Sequence, residues 1–170
     1  MRQEIITNSA KQTKKIGNKI ARQILQRGPL DSAIVLALNG ELGSGKTTFV
    51  QGFAEIPCIR KKVLSPTYVI MRRFEIPDYS VKKEPKTSKC FKNLYHIDCY
   101  RIKNPKEILD LGFADTIENP ENIIIIEWAE KIKKVLPNSN IFYLDFKFLE
   151  KNKRKIHIPD MLRIQVSPCG

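Results

Sequence analysis

The chain has 170 residues, of which 42% are apolar and 28% are charged, values that are ordinary for a globular protein. Its apolar runs are far shorter than the roughly 18 residues that a membrane-spanning helix needs, and its first residues lack the apolar stretch of a secretory signal. We therefore predict a single cytoplasmic domain over residues 1–170. The net charge of +12 favours a polyanionic partner, either nucleic acid or an acidic protein surface, unless it reflects only a general bias towards lysine.

Four cysteines lie far apart in the chain without a C-x-x-C pair, and only two histidines accompany them. This spacing argues against a zinc site and, in a cytosolic protein, against a disulfide framework. We predict that all four thiols are reduced: Cys58, Cys90, Cys99 and Cys169.

The first predicted element is a helix over residues 9–27. Isoleucines recur in it every four residues, Asn8 or Ser9 can cap its start, and Gly28 followed by Pro29 ends it. This recurrence is typical of a helix that packs one apolar stripe against a core.

A strand over residues 33–39 and a helix over residues 46–54 enclose the most informative motif. The strand is a continuous apolar run, which indicates burial on both faces of a parallel sheet. From Gly40 to Thr47 the sequence reads G-x-x-x-x-G-K-T, the phosphate-binding P-loop. Glycines let backbone N–H groups curl around phosphates, the lysine reaches the β- and γ-phosphates, and the threonine hydroxyl ligates Mg²⁺. We therefore predict a nucleotide site that includes Gly40, Glu41, Leu42, Gly43, Ser44, Gly45, Lys46, Thr47 and Thr48.

Residues 63–70 are predicted to form a loop that leads into a strand, because a proline at position 66 favours an extended backbone before it. Thr67 in this loop is a candidate sensor of the γ-phosphate, although Ser-Pro-Thr is also typical of an ordinary turn. Residues 77–92 are rich in lysine and contain two prolines, so they are predicted to be a surface excursion.

Two further predicted strands lead to acidic residues. Residues 93–100 contain Asp98 near their end, and the run Ile123–Ile126 is followed by Glu127 and Trp128. A parallel sheet would bring both carboxylates to the edge that carries the P-loop, where such groups hold Mg²⁺ and orient water. Either acid alone is more often a helix cap or a surface charge. The tryptophan is either an exposed stacking or docking surface beside the site or part of the core.

The remaining elements complete the predicted fold. Asn104 and Pro105 begin a short helix that ends at about Leu111, with the proline at the favoured first position. Residues 141–149 and 154–158 are predicted to form an antiparallel pair. Together these elements predict an α/β fold: a single P-loop NTPase-like domain, with a mostly parallel central sheet flanked by helices and an antiparallel C-terminal hairpin.

These motifs, in this order, resemble the bacterial TsaE family, the small ATPases of tRNA threonylcarbamoyladenosine (t6A) biosynthesis. A P-loop alone is shared by many families, but the ordered set is far more specific. The matching stretches extend across most of the chain: Leu38–Thr48 (LNGELGSGKTT), Ser65–Tyr68 (SPTY), Tyr95–Arg101 (YHIDCYR), Asn104–Gly112 (NPKEILDLG) and Ile126–Ala129 (IEWA).

The resemblance implies a division of roles around the nucleotide. Residues Gly43–Thr48 would hold the phosphates, and Thr13 would contact the nucleotide near its base. A basic residue of the C-terminal hairpin, Arg154 or Lys155, would also lie near the nucleotide.

The resemblance further implies that Thr47 and Glu127 ligate Mg²⁺, with Asp98 near the attacking water or supporting the metal ligands. The residues expected to take part in hydrolysis are Lys46, Thr67, Asp98 and Glu127. Proteins of this family associate with the TsaB–TsaD pair, and their ATP hydrolysis resets that complex. The expected partners are therefore TsaB- and TsaD-like proteins, with tRNA contacted through the complex and no membrane involved.

Two segments depart from the family's pattern, and three other functions stay open. Residues 55–64 are shorter than usual, and residues 77–92 resemble an insertion, which affects loop geometry more than the nucleotide site. The alternatives are a small phosphotransferase, a regulatory GTPase and a module that binds ATP without hydrolysis. Phosphotransferases usually carry several arginines in a lid, and a GTPase needs an N-K-x-D motif, which this sequence lacks.

Overall fold

The structure is a computed structural model that describes residues 2–56, 70–77 and 90–165. Thr67 and most of the predicted excursion at 77–92 lie outside these ranges, so the expectations for them stay predictions. The described chain forms strands and α-helices in this order: β1 (Arg2–Thr7), α1 (Ala10–Arg27), β2 (Ile34–Asn39), α2 (Lys46–Glu55), β3 (Met71–Glu75), β4 (Asn93–Asp98), α3 (Lys106–Leu109), α4 (Phe113–Glu118), β5 (Asn122–Glu127), β6 (Ile141–Glu150) and β7 (Lys153–Pro159). Short 3-10 helices span Ala129–Val135 and Asp160–Leu162.

The strands form one sheet in the order β1-β7-β6-β2-β5-β4-β3. Its four middle strands are parallel to one another, because β2 pairs with both β5 and β6, and β4 pairs with β5. The outer pairs, β1–β7, β6–β7 and β3–β4, are antiparallel. The predicted α/β fold, with its parallel core and its C-terminal hairpin, is confirmed.

Apolar layers cover both faces of the parallel core. Alternate residues of β5 divide between them: Ile123 and Ile125 belong to the cluster that contains the inner residues of α1 and α2. Ile124 and Ile126 belong to a second cluster, built from α3, α4 and the 3-10 helix Ala129–Val135. The first side of the sheet is called the α1/α2 face below. Burial on both faces explains why this strand is an uninterrupted apolar run.

The α1/α2 face is closed by two helices whose backbones touch. A Cβ atom at Gly17 of α1 would lie 2.3 Å from the carbonyl oxygen of Phe49 in α2. A Cβ atom at Gly52 of α2 would lie 2.2 Å from the carbonyl oxygen of Lys14 in α1. Because an ordinary contact begins near 3.4 Å, only glycine permits this approach at either position.

The helix boundaries follow the predicted caps with one difference. The Ser9 hydroxyl accepts a hydrogen bond from the backbone N–H of Gln12, and Gly28 ends α1 with a φ of 76°. In α3, Pro105 is the N-cap rather than the first helical residue, and the helix ends at Leu109. The Glu107 carboxylate accepts hydrogen bonds from two backbone N–H groups ahead of the helix, which takes over part of the capping.

One strand, one α-helix and both 3-10 helices were not predicted from the sequence. Strand β1 pairs with β7 at the sheet edge, and the six-residue α4 follows Gly112. Cys99 is a free, buried thiol, as predicted, and Cys90 is exposed, while the other two cysteines lie outside the described ranges. Among the described helices, none is long and apolar enough to cross a bilayer.

Candidate nucleotide site

The P-loop connects the end of β2 to the start of α2 at one edge of the sheet. Gly40 has a φ of 134°, and a Cβ atom there would lie 2.2 Å from the carbonyl oxygen of Phe146. Gly45 is the N-cap of α2 with a φ of 99°. The glycines of the motif therefore allow both the turn and the close approach of β6, and they leave the N-terminus of α2 facing the cleft.

Lys46 is the first residue of α2, directly after the loop, and is only 4% exposed. Its ammonium group donates hydrogen bonds to the carbonyl oxygens of Gly40, at 2.6 Å, and Glu41, at 2.9 Å. The same Nζ atom lies 4.0 Å from the ring centroid of Trp128. Burial lowers the pKa of Lys46 below its usual range, and negative charge, above all that of Glu127, opposes the shift. The loop thus places one weakly hydrated cation where phosphate would bind.

The two strand-end acids lie together at this edge. Asp98 of β4 is the register partner of Glu127 of β5, which in turn pairs with Leu38 at the end of β2. Glu127 continues the row that contains Ile123 and Ile125, so its side chain points to the α1/α2 face, where α2 begins. There the Thr47 hydroxyl donates a hydrogen bond of 2.8 Å to Glu127 Oε2. The structure thus joins the P-loop threonine to one of the predicted acids.

Asp98 is held by the turn that follows β4. Its Oδ1 atom accepts a hydrogen bond of 3.0 Å from the backbone N–H of Tyr100. The carboxylate is 8% exposed and lines the same cleft as Thr47. It therefore stands beside the phosphate loop in the same cleft.

His96 is a site residue that the sequence analysis did not single out. Its Nε2 atom lies 2.9 Å from Glu127 Oε1, and its ring is completely buried. The available signal was its position two residues before Asp98, since alternate residues of a strand share a face. Whether the next strand would bring a carboxylate to it depended on the register between β4 and β5.

Trp128 combines the two roles considered for it, a surface beside the site and a part of the core. It has a left-handed backbone with a φ of 60°, and its half-buried ring packs on the apolar cluster opposite α1 and α2. The ring also lines the cleft and lies 5.1 Å from the ring of Tyr100, centroid to centroid. The ring therefore lines the cleft on one side and packs against the core on the other.

The cleft has a volume of about 380 Å³, within the range of small-molecule sites. The start of α1 and the hairpin between β6 and β7 also line it. Thr13 lines it with its methyl group towards Gly45, while its hydroxyl bonds to that of Thr7 at 2.8 Å. Of the two candidate hairpin cations, Arg154 lines the cleft. Lys155 points to the other face of β7 and pairs with Glu4 at 3.0 Å.

The predicted nucleotide-binding residues do not all face the cleft. Leu42, Gly43 and the stretch from Gly45 to Thr48 line it. The remaining three do not line the cleft: Gly40 and Glu41 offer carbonyl oxygens to Lys46, and Ser44 is fully buried.

The sequence matches a known family over most of its length. A family profile described as threonylcarbamoyl adenosine biosynthesis protein TsaE matches residues 7–156. The chain belongs to the TsaE family. Two relatives named tRNA threonylcarbamoyladenosine biosynthesis protein TsaE illustrate the similarity. The Rickettsia typhi protein is 34% identical over 86% of this chain and 88% of its own length, and the Haemophilus influenzae protein is 34% identical over 75% and 71%.

A solved structure shares the fold of this TsaE-family chain. The crystal structure of YdiB from Bacillus subtilis superimposes with a TM-score of 0.65 and 26% sequence identity. The match covers 93% of this chain and 86% of that one. The fold described above is therefore shared with a solved bacterial protein.

The polar groups in the cleft of this TsaE-family chain fit Mg²⁺ that is bound together with a nucleotide. One hydroxyl and two carboxylates converge there, from Thr47, Asp98 and Glu127, and such hard oxygen donors suit Mg²⁺. No cluster of three or more His, Cys, Asp or Glu occurs within the described residues. Mg²⁺ in nucleotide sites commonly takes only one or two ligands from the protein and completes its coordination with phosphate oxygens and water.

Proposed function

We propose that this protein is a Mg²⁺-dependent ATPase that supports formation of t6A at position 37 of tRNA in the cytoplasm. It would bind a TsaB–TsaD pair and reset that complex through ATP hydrolysis. The observation that carries the ATPase proposal is the hydrogen bond between Thr47 and Glu127, because it couples the phosphate loop to an acidic strand end. Membership of the TsaE family supports the connection to t6A.

The proposal gives each described group a role. Lys46 would exchange its contacts with loop carbonyls for contacts with the β- and γ-phosphates, which are stronger acceptors. Thr47, with Glu127 behind it, would hold Mg²⁺, and the bound ion would neutralise charge on the phosphate oxygens. Asp98 would orient the attacking water, because it lies in the cleft beside Thr47. Thr13 and Arg154 would enclose the nucleoside end.

The cleft supports slow hydrolysis by the isolated protein. Among its lining residues within the described chain, Arg154 is the only arginine. Its guanidinium donates to the carbonyl oxygens of Glu150 and Lys153, at 3.1 and 3.0 Å, and stacks on the Phe148 ring. An arginine that stabilises the transferred phosphoryl group accelerates such reactions by several orders of magnitude. The part of the cleft formed by the described residues therefore suits an enzyme that a partner stimulates.

The test is Mg²⁺-dependent release of phosphate from ATP, measured for the protein alone and with its cognate TsaB- and TsaD-like proteins. We expect a low rate that the pair increases, and no activity in the matched Lys46→Ala variant. A rate indifferent to the pair would contradict the proposed place in the complex. Transfer of phosphate to an added small acceptor would favour a phosphotransferase instead, and nucleotide binding without hydrolysis would favour a binding module.

A further inference from the structure

Three side chains from three elements form a hydrogen-bonded chain behind the cleft. His96 of β4 contacts Glu127 Oε1 of β5 through Nε2 at 2.9 Å. The other carboxylate oxygen, Oε2, accepts the hydrogen of the Thr47 hydroxyl at the start of α2, at 2.8 Å. The imidazole is 0% and the glutamate 3% exposed, so water does not compete effectively for either bond.

The register of the parallel sheet produces this contact. His96 lies opposite Ile125 on the α1/α2 face, and Glu127 is two residues further along β5 on the same face. Diagonal neighbours of this kind lie within reach of long side chains. The histidine therefore meets the carboxylate from the side opposite the P-loop.

The contact also fixes where the imidazole carries its hydrogen. An ionised carboxylate can only accept, so Nε2 is the donor. Nδ1 is buried, and it has no hydrogen-bond partner among the described residues. A buried polar atom without a partner costs about 1–3 kcal/mol. One nitrogen is thus left unsatisfied while the other is directed at Glu127.

We propose that His96 is a positioning residue for the Mg²⁺ site. By holding Oε1 of Glu127, it keeps Oε2 in place to take the Thr47 hydrogen, which leaves the hydroxyl lone pairs directed at the metal. The inference rests on the proposed function, because it requires Mg²⁺ and nucleotide to bind at Thr47. Without His96 the carboxylate can rotate, and the hydroxyl loses its fixed orientation. Loss of such a supporting partner lowers metal affinity by about 10–100-fold in other sites.

Three substitutions separate this role from simple packing. The side-chain amide of His96→Gln can place an N–H where the imidazole Nε2–H lies. The amide of His96→Asn ends nearer the position of Nδ1 and falls short of the carboxylate. His96→Leu fills space without any donor. The first two variants both bury an amide and differ mainly in reach, so they form the matched pair.

The experiment measures binding of the β,γ-imido analogue of ATP by calorimetry, over a series of Mg²⁺ concentrations and in EDTA. We expect His96→Gln to keep the wild-type half-saturating Mg²⁺ concentration within about threefold. We expect His96→Asn and His96→Leu to raise it about tenfold or more. Affinity in EDTA should stay unchanged in all three, because the P-loop contacts to phosphate do not involve His96.

Three results would overturn the inference, and thermal unfolding of each variant serves as a check of folding. The first is wild-type Mg²⁺ dependence in the asparagine or leucine variant. The second is an equal loss of affinity in EDTA and in Mg²⁺, and the third is an equal loss in all three variants; either would reveal a purely structural role. If the leucine variant does not fold, the glutamine–asparagine pair decides. Binding to the wild-type protein that ignores Mg²⁺ would instead contradict the proposed function itself.

Discussion

The contact between α1 and α2 predicts that Gly52→Ala destabilises the protein. Alanine is the better helix former by about 1 kcal/mol, so propensity alone would make this substitution stabilising. The structure opposes that gain, because the new Cβ would lie 2.2 Å from the Lys14 carbonyl oxygen and 2.5 Å from its Cα atom. Both are backbone atoms, so no change of rotamer relieves the clash.

The size of the effect follows from how far the helices must move. An ordinary contact of about 3.4 Å requires them to separate by about 1 Å near Gly52. A gap of 0.5–1 Å forfeits about a quarter to a half of each dispersion contact across the interface. Overpacking typically costs up to about 3 kcal/mol. After the gain in propensity, we expect a loss of about 2 kcal/mol in unfolding free energy, or about 4–8 °C in Tm.

Urea and thermal unfolding measure this loss, with Gln51→Ala in the same helix as the control. The control should change the unfolding free energy by no more than about 0.5 kcal/mol. Because α1 also carries Thr13 against Gly45, ADP affinity should fall with Gly52→Ala and not with the control. Unchanged or increased stability in Gly52→Ala would refute the backbone-to-backbone packing of the two helices.

Three further predictions concern the site and its surroundings. Lys46→Ala should abolish tight ATP binding because it removes the cation beneath the phosphates, and calorimetry showing wild-type affinity would contradict the assignment of the P-loop. Glu127→Gln or Asp98→Asn should reduce the rate of hydrolysis more than ATP affinity, and wild-type turnover would be evidence against their roles. Burial raises the pKa of Cys99 to about 12, so at pH 8 about one thiol in ten thousand is ionised. Iodoacetamide followed by peptide mapping should modify the exposed Cys90 and spare Cys99, and equal labelling would show that the buried thiol is accessible.

The parts of the fold predicted correctly are those in which local sequence and tertiary packing agree. The run from Ala33 to Leu38 is apolar at every position because both faces of β2 are covered. The glycines of the P-loop occur where φ is positive or where β6 approaches. In both cases the structure restricts the residue types of only a few neighbouring positions, so those residue types alone reveal the local structure.

The missed elements depend on distant partners. In β1, Ile5 is buried and Ile6 is 51% exposed, and this short alternation becomes a strand because Ile5 pairs with Ile156 at the far end of the chain. Which of Arg154 and Lys155 faces the cleft depends on the register of β7, the strand that pairs with β1. Arg154 shares the α1/α2 face with Ile156, whereas its neighbour points away. A one-residue change of register would exchange the two side chains.

The sequence located the two acids at strand ends but not their hydrogen-bond partners, because it does not show to which face of the sheet each side chain points. A run of four isoleucines places Glu127 at a strand end, but an evenly apolar run does not reveal which face the fifth residue takes. The register supplies that information: His96 lies opposite Ile125, and Asp98 lies opposite Glu127, all on the face to which α2 adds Thr47. A slip of one residue along β5 would turn the carboxylate towards Ile132 and the second apolar cluster. There it would lack both donors and be buried at a cost of several kcal/mol. The hydrogen bonds of Glu127 thus help to specify the strand register that assembles the candidate site.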